Sequence, residues 1–403
     1  MTTTTTPSLR DVISGETDAI TAIRRDLHAH PELMFEELRT SKVVLEELRR
    51  LGIECKGGYA KGTGVVGYLP ATVETDAKAV ALRADMDALP IIEKTGAAHA
   101  STSPGVMHAC GHDGHTAMLL GVARVLSQTE HRPRPVMFVF QPAEEGGGGG
   151  AMMCDEGALK GEAGGGLGVP VGEIYGLHGW PGMELGTVAT KPGPMMASTD
   201  EFLITVKGKG GHAAWPHECR DPVVAASAIV MALQTVVSRS TGPLEAGVCT
   251  VGRLTGGTVD NIIPEEVELE GTTRALLPEI RERLERRVRE IAVLTAKAHG
   301  CEAHIDWRVG YPVTRNDDAL AAKAMEIARG ALGGEQVMLA EQPVMGGEDF
   351  SYYGHHVPAC FFFMGLKPRG ADYYPELHTP QFDFNDDAIA TGVELLSTLA
   401  LKA

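Results

Sequence analysis

The sequence predicts a mixed α/β protein: a mostly parallel sheet flanked by helices forms a catalytic domain, and a smaller ferredoxin-like α+β domain is inserted into it. Three observations carry that expectation. Short apolar or β-branched runs alternate with helical patterns through the first half, as in parallel sheets. A β-α-β-β-α-β order follows from about Thr190 to Val309. The α/β alternation then resumes, and 403 residues are enough for two domains.

Taken in order, Ile20, Ile23 and Leu27 recur at helical spacing over 16–29, and Pro31 ends the run. A second helix over about 36–51 stops at Gly52, with Arg49 and Arg50 in its last turn, where the dipole favours cations. His28 and His30 read as structural. The runs 64–69 and 79–83 read as strands, the second leading into Asp85 and Asp87. A helix is expected from about Asp113 through Leu126. The apolar strand 136–140 delivers Glu144 and Glu145, and Gly146–Gly150 reads as a flexible loop, since no phosphate-binding Gly-Lys-Ser/Thr pattern accompanies it. A short strand over 174–177 ends at His178.

The inserted segment, expected over 189–311, contains strands at 201–206, 246–254, 266–275 and 302–309 and helices at 222–238 and 278–298. That leaves 1–188 and 312–403 as one discontinuous catalytic domain. Its second piece holds a helix over 319–332, a strand over 360–364, the loop with His378 and a final helix over 386–401.

Composition narrows the function. A formal net charge of −17 argues against nucleic acid and anionic membrane surfaces as partners. Apolar runs fall short of the roughly 20 residues of a membrane span, and the threonine-rich start lacks a signal-peptide pattern. Seven scattered cysteines make no disulfide framework, so a cytoplasmic, reduced protein is expected.

The stretch Met107–His115 bears the chemistry. Cys110 and His112 bring a soft thiolate and an imidazole within reach of one ion, as zinc prefers. The helix that follows is expected to lower the Cys110 pKa through its N-terminal dipole, giving a thiolate. In open α/β sheets sites form beyond the carboxyl ends of strands, where one of Glu144 and Glu145, His178 and His378 are also expected. Five N, S and O donors exceed one catalytic zinc and suit two neighbouring ions, which together activate water and polarise a carbonyl. The glutamate left over would be the general base, and amide hydrolysis is the natural reaction. A cysteine hydrolase using Cys110 and His112 is disfavoured, because residues two apart in a tight loop rarely align for proton transfer and the glutamates stay unexplained. A non-catalytic metal-binding dimer has no use for the extra carboxylate.

Several longer motifs point the same way: Asp26–Leu33 (DLHAHPEL), Arg83–Pro90 (RADMDALP), His108–Asp113 (HACGHD), Gln141–Glu145 (QPAEE), Gly210–Ala214 (GGHAA), Asn261–Pro264 (NIIP) and Gly346–Phe350 (GGEDF). With these the chain resembles the aminoacylase/carboxypeptidase family of metallopeptidases, in the amidohydrolase branch of hippurate hydrolases, N-acyl-amino-acid deacylases and indole-acetyl-amino-acid hydrolases. The resemblance implies two divalent ions, zinc first and manganese, cobalt or nickel as alternatives, held by Cys110, His112, Glu145, His178 and His378. It makes Glu144 the base and Asp87 the carboxylate that orients a ligand imidazole. His212 would reach into a partner subunit's site, and Asn261, Arg274 and Gly346 would hold substrate. It further implies that the inserted domain is a dimerisation lid and that the substrate is a small N-acyl or N-aroyl amino acid, with a dipeptidase or carboxypeptidase as the alternative.

Overall fold

The computed structural model describes residues 8–403; the threonine-rich start, residues 1–7, lies outside the described residues. The described residues divide into two compact units, one comprising 8–195, 315–341 and 349–403, the other 196–314 and 342–348.

In the first unit, helix α1 (Leu9–Ala29) begins seven residues before the periodic stretch, because Ser8 and Asp11 form a reciprocal capping box that satisfies its first amides. Helix α2 (Leu38–Arg50) follows. The strands are β1 (Glu54–Tyr59), β2 (Gly64–Leu69), β3 (Ala79–Asp85), β4 (Val136–Gln141), β5 (Val171–Glu184), β6 (Val188–Thr190), and, after the second unit, β13 (Val337–Leu339) and β14 (Ala359–Lys367). They form one eight-stranded sheet in the order β1-β2-β4-β3-β5-β14-β6-β13. The pairs β4–β3, β3–β5, β5–β14 and β6–β13 are parallel, and the other three are antiparallel. The sheet is thus mixed, with an all-parallel centre. Every residue of β3 and β4 is buried, as expected for strands covered on both faces.

Helices α3 (His112–Ser127), α7 (Asp318–Leu332) and α8 (Ile389–Lys402) pack with α1 and the sheet around one core that includes Leu82, Val122, Phe138, Phe362 and Leu396. Two local readings change. Residues 149–155 form a helix, α4, which takes in the last two glycines of the expected flexible loop 146–150. A Cβ on Gly149 would lie 1.8 Å from the Pro142 carbonyl oxygen, so the glycines there permit close packing instead of mobility. Strand β1, with adjacent Gly57 and Gly58, carries little β signal and was not expected at all.

The second unit is a four-stranded antiparallel sheet, β9-β11-β7-β12, built from β7 (Ser198–Lys207), β9 (Gly247–Gly256), β11 (Glu266–Ala275) and β12 (Glu302–Val309). A two-stranded ladder joins β8 (Gly211–His212) to β10 (Ile262–Ile263). Helices α5 (Pro222–Ser240) and α6 (Pro278–Ala298) share a core with alternating residues of the sheet, among them Phe202, Ile204, Val206, Val267 and Leu269. Contrary to expectation, α5 is long and apolar enough to cross a membrane by length and composition. Its Val223, Val224 and Met231 are exposed, as are Val293 and Leu294 of α6.

One buried cation ties the first unit together. The Arg24 guanidinium of α1 pairs with Asp113 at 3.0 Å, with Asp386 at 3.4 Å and with Asp383. His28, one turn on, lies 2.8 Å from the same Asp113 oxygen. Burial opposes its charge, but Asp113 outweighs this and pushes it up to about 9. Removing one member of such a cluster strands the rest, so Arg24→Met is expected to cost about 3–5 kcal/mol, read as a fall of several degrees in melting temperature. A variant that melts with the parent protein would contradict this.

Candidate metal centre

The loops that leave the parallel strands carry the candidate ligands to one place. Strand β3 ends at Asp85 and leads to Asp87, and β4 ends at Gln141 and leads to Glu144 and Glu145. Cys110 lies just before Gly111, whose φ of 91° turns the chain into α3, and His112 is that helix's first residue. His178 sits within β5 and does not end it, since the strand runs on to Glu184. Its register explains why it still faces the others: Gly176 pairs with Arg83, so His178 stands level with the end of β3. His378 is not at a strand exit either. It lies eleven residues past β14, in the left-handed conformation (φ 60°), fastened by its N–H to the Ala109 carbonyl at 2.8 Å.

The donor atoms converge. Cys110 Sγ is 3.3 Å from His178 Nε2 and 3.3 Å from His378 Nε2, and His378 Nε2 is 3.0 Å from Glu145 Oε1. Two triads follow, Cys110–His112–His178 and Cys110–Glu145–His378, each with donor atoms within 4.8 Å of one another. The thiol belongs to both. His112, Glu144 and Glu145 form a further group of the same tightness.

Two of the three imidazoles have one nitrogen committed elsewhere. His112 Nδ1 lies 2.9 Å from the Asp87 carbonyl oxygen and His178 Nδ1 2.8 Å from the Gly179 carbonyl oxygen, which leaves both Nε2 atoms facing the cluster. His112 Nε2 is buried with no hydrogen-bond partner. Buried polar atoms rarely stay orphaned, and this one faces the cluster, as a cation's ligand does.

The same atoms carry an electrostatic mismatch. Burial, then the charges of Glu145 and Glu144, push the Cys110 thiol well above its usual range. Without a bound cation these effects oppose the thiolate that the start of α3 is expected to favour. Burial disfavours a charged His112, but Asp85 and Asp87 outweigh it and hold this imidazole up to about 10. Burial and the neighbouring His115 keep His178 well below the ordinary value, hence neutral. Protons stand where the surrounding carboxylates call for positive charge, and the donor set fits divalent cations.

The aspartates act beneath this layer. Asp87 spends its carboxylate on two backbone amides, accepting from Glu144 N–H and Glu145 N–H at 2.9 Å each, and touches His112 mainly through its own carbonyl. Asp85 accepts from Arg83 at 2.6 Å and lies 2.7 Å from His115 Nδ1, whose Nε2 accepts the Gly179 N–H at 2.9 Å. Both His115 nitrogens are therefore occupied, so the nearby group Asp85–His112–His115 is a support and not a cation site. Arg83 also donates to Gln141 and Asp349, at 2.9 Å each. An arginine inside the apolar run 79–84 was the sequence signal for this support, and it was missed.

The remaining candidates lie in the second unit and fall into two pairs. His212 pairs in register with Ile262, and Ala213 N–H donates to the Asn261 carbonyl, so His212 and Asn261 are neighbours beyond the Lys207 end of β7. Arg274 stands opposite Thr199 at the other end of that strand, where the Gly346 carbonyl accepts the Ala197 N–H. Thr199 and Lys207 are eight residues apart, about 26 Å along a strand.

Comparison with known proteins agrees with this architecture. Residues 81–402 match the model of peptidase family M20/M25/M40. The chain is 39% identical over 390 residues to the IAA-amino acid hydrolase ILR1-like 4 of Arabidopsis thaliana, covering 96% of this chain and 86% of that protein. It is 41% identical over 378 residues to an N-acetyldiaminopimelate deacetylase of Anoxybacillus flavithermus, covering 93% and 95%. The crystal structure of a Bacillus subtilis protein described as a dinuclear metal-binding peptidase of the M20 family superposes with a TM-score of 0.81 at 34% identity, covering 96% of this chain and 98% of that one. The chain belongs to the M20/M25/M40 peptidase family, in its amidohydrolase branch, and is a metal-dependent amidohydrolase.

Proposed function

We propose that the protein hydrolyses the amide bond of N-acyl or N-aroyl amino acids, with two divalent ions held by Cys110, His112, Glu145, His178 and His378 and with Glu144 as general base. The observation that carries this reading is the thiol common to both donor triads. A donor shared between two such groups is what a pair of adjacent ions requires. The relatives named above as hydrolases and deacetylases of amino-acid conjugates support the substrate class, and the dinuclear title of the Bacillus subtilis structure supports two ions. The thiol and imidazole donors favour zinc, and manganese, cobalt or nickel are the alternatives.

Bound ions would polarise the scissile carbonyl and acidify a water. The chain's own part is to orient and to move the proton. Glu144, buried and left over from the five ligands, takes the water's proton and passes it to the leaving amine. Asp87 holds both glutamates by their backbone amides, so that the base and the ligand keep different directions. His212 would act on the site of a second subunit, and Asn261, Arg274 and Gly346 would hold substrate; His212 and Asn261 lie beyond one end of β7, and Arg274 and Gly346 lie at the other. The exposed apolar side chains of α5 and α6 support a homodimer formed through the second unit, the proposed lid over residues 189–311. Seven unpaired cysteines fit a reducing, cytoplasmic setting. Among alternatives, a dipeptidase or carboxypeptidase differs only in the acyl group accepted.

Glu144→Gln is expected to keep its metal and lose about 10²–10⁴-fold in kcat on a panel of acetyl-, benzoyl- and indole-acetyl-amino acids; full activity would refute the assigned base. Metal analysis of variants should find about one ion retained after His178→Ala and almost none after Cys110→Ala, since the thiol serves both triads. Equal losses in the two would contradict the shared ligand. Refolding a mixture of His212→Ala and Glu144→Gln chains should restore roughly a quarter of the activity if His212 acts across the dimer, because half the dimers then hold one intact site. No recovery would place His212 on its own subunit's site.

A further inference from the structure

The motif Asp26–Leu33, which closes α1, has no part in the ligand set, yet the strap that follows the helix, residues 32–37, touches both loops that bear the catalytic carboxylates. The Glu32 carbonyl accepts the Ala88 N–H at 2.8 Å, and Leu33 bridges to Ala88, next to Asp87. Phe35, itself left-handed (φ 62°), lies against Gly147, where a Cβ would approach its ring to 2.9 Å. At the far end of the strap the fully buried Glu37 carboxylate accepts the Ala143 N–H at 2.9 Å.

Two features make that last contact unusual. Glu37 is the N-cap residue of α2, yet its side chain makes no capping bond. The work is done by Glu32, which accepts from Arg39 N–H at 2.9 Å and from Thr40 N–H at 2.8 Å and so frees Glu37 for the loop. Ala143 meanwhile holds φ 56°, a conformation that is unfavourable for a non-glycine residue and persists only where neighbours enforce it. With Asp87, three successive amides (Ala143, Glu144 and Glu145) are each held by a buried carboxylate oxygen at 2.9 Å.

We propose that Glu37 is a positioning residue for the general base: by accepting the Ala143 N–H it keeps that residue left-handed and thereby fixes the direction in which Glu144 leaves the loop. The inference rests on the reading of Glu144 as base. Burial, and behind it the like charge of Asp87, push the Glu37 carboxyl up to about 7.

The test compares Glu37→Gln, which keeps an oxygen of the same reach, with Glu37→Asp, which falls one methylene short of Ala143 but is a favoured N-cap residue, so that α2 is not weakened. Glu37→Asp is expected to lose about 10–100-fold in kcat, the usual penalty for a residue supporting a catalytic group, with KM within about twofold, unchanged melting and both metal equivalents retained. Glu37→Gln should stay within about threefold of the parent in kcat. Wild-type kcat in Glu37→Asp overturns the proposal, as does a loss of kcat that only tracks a loss of metal. A fully active Glu144→Gln would instead overturn the reading of the base itself, whereas an inactive Glu144→Gln beside an unaffected Glu37→Asp removes Glu37 alone.

Discussion

The first unit depends on an unbalanced concentration of negative charge. Asp85, Asp87, Glu144 and Glu145 gather with one thiol and three imidazoles at the end of the parallel strands, where little water reaches most of them. Burying carboxylates without compensating charge is strongly unfavourable. The chain's own response is to retain protons on Cys110 and His112. Divalent cations answer the same demand with more charge in less space, and they displace those protons. The centre is therefore built to be completed by metal.

Rigidity comes from the layer beneath. Arg83, Asp85 and His115 connect the ends of β3 and β4 to the Gly179 amide, and so to His178, through successive buried hydrogen bonds. Arg24 and Asp113 join α1 to the first turn of α3, just after Cys110, and to the segment after His378. Strain is concentrated in the same region: Ala143 and His378 are two of only five non-glycine residues with positive φ among the described residues, and Phe35 is a third. Strained residues of this kind persist where surrounding contacts over-determine them, and here those contacts are the carboxylates of Glu37 and Asp87 and the Ala109 carbonyl.

Much of this was legible in the sequence, for a physical reason. Continuous apolar strands such as 136–141 announce their own burial, and polar residues directly beyond them have nowhere to go but the sheet's edge, so Asp85, Asp87, Glu144 and Glu145 could be located early. Local periodicity also gave both long helices of the second unit. What escaped was non-local. The Cys110 thiol is pushed up by its burial and by carboxylates 25 or more residues away along the chain. His378 and His178 were assigned to strand exits, whereas one is held by a backbone bond to Ala109 and the other by its register inside a longer strand. Arg274 and Asn261 look alike as anion binders in the sequence, and only the pairing of β7 with β11 shows that they belong to opposite ends of the sheet. Glu37 gave no signal, because an acidic residue at a helix start is ordinary until another residue is seen to do the capping.

The central claim is that two cations share the sulfur of Cys110. Anomalous diffraction from crystals of the purified protein, recorded at the absorption edge of whichever metal elemental analysis finds, tests it most directly. Two peaks per chain are predicted, one beside His112 and His178 and one beside Glu145 and His378, with the Cys110 sulfur between them. A single peak in a fully active crystal, or a peak centred on Asp85 and His115, would contradict the account.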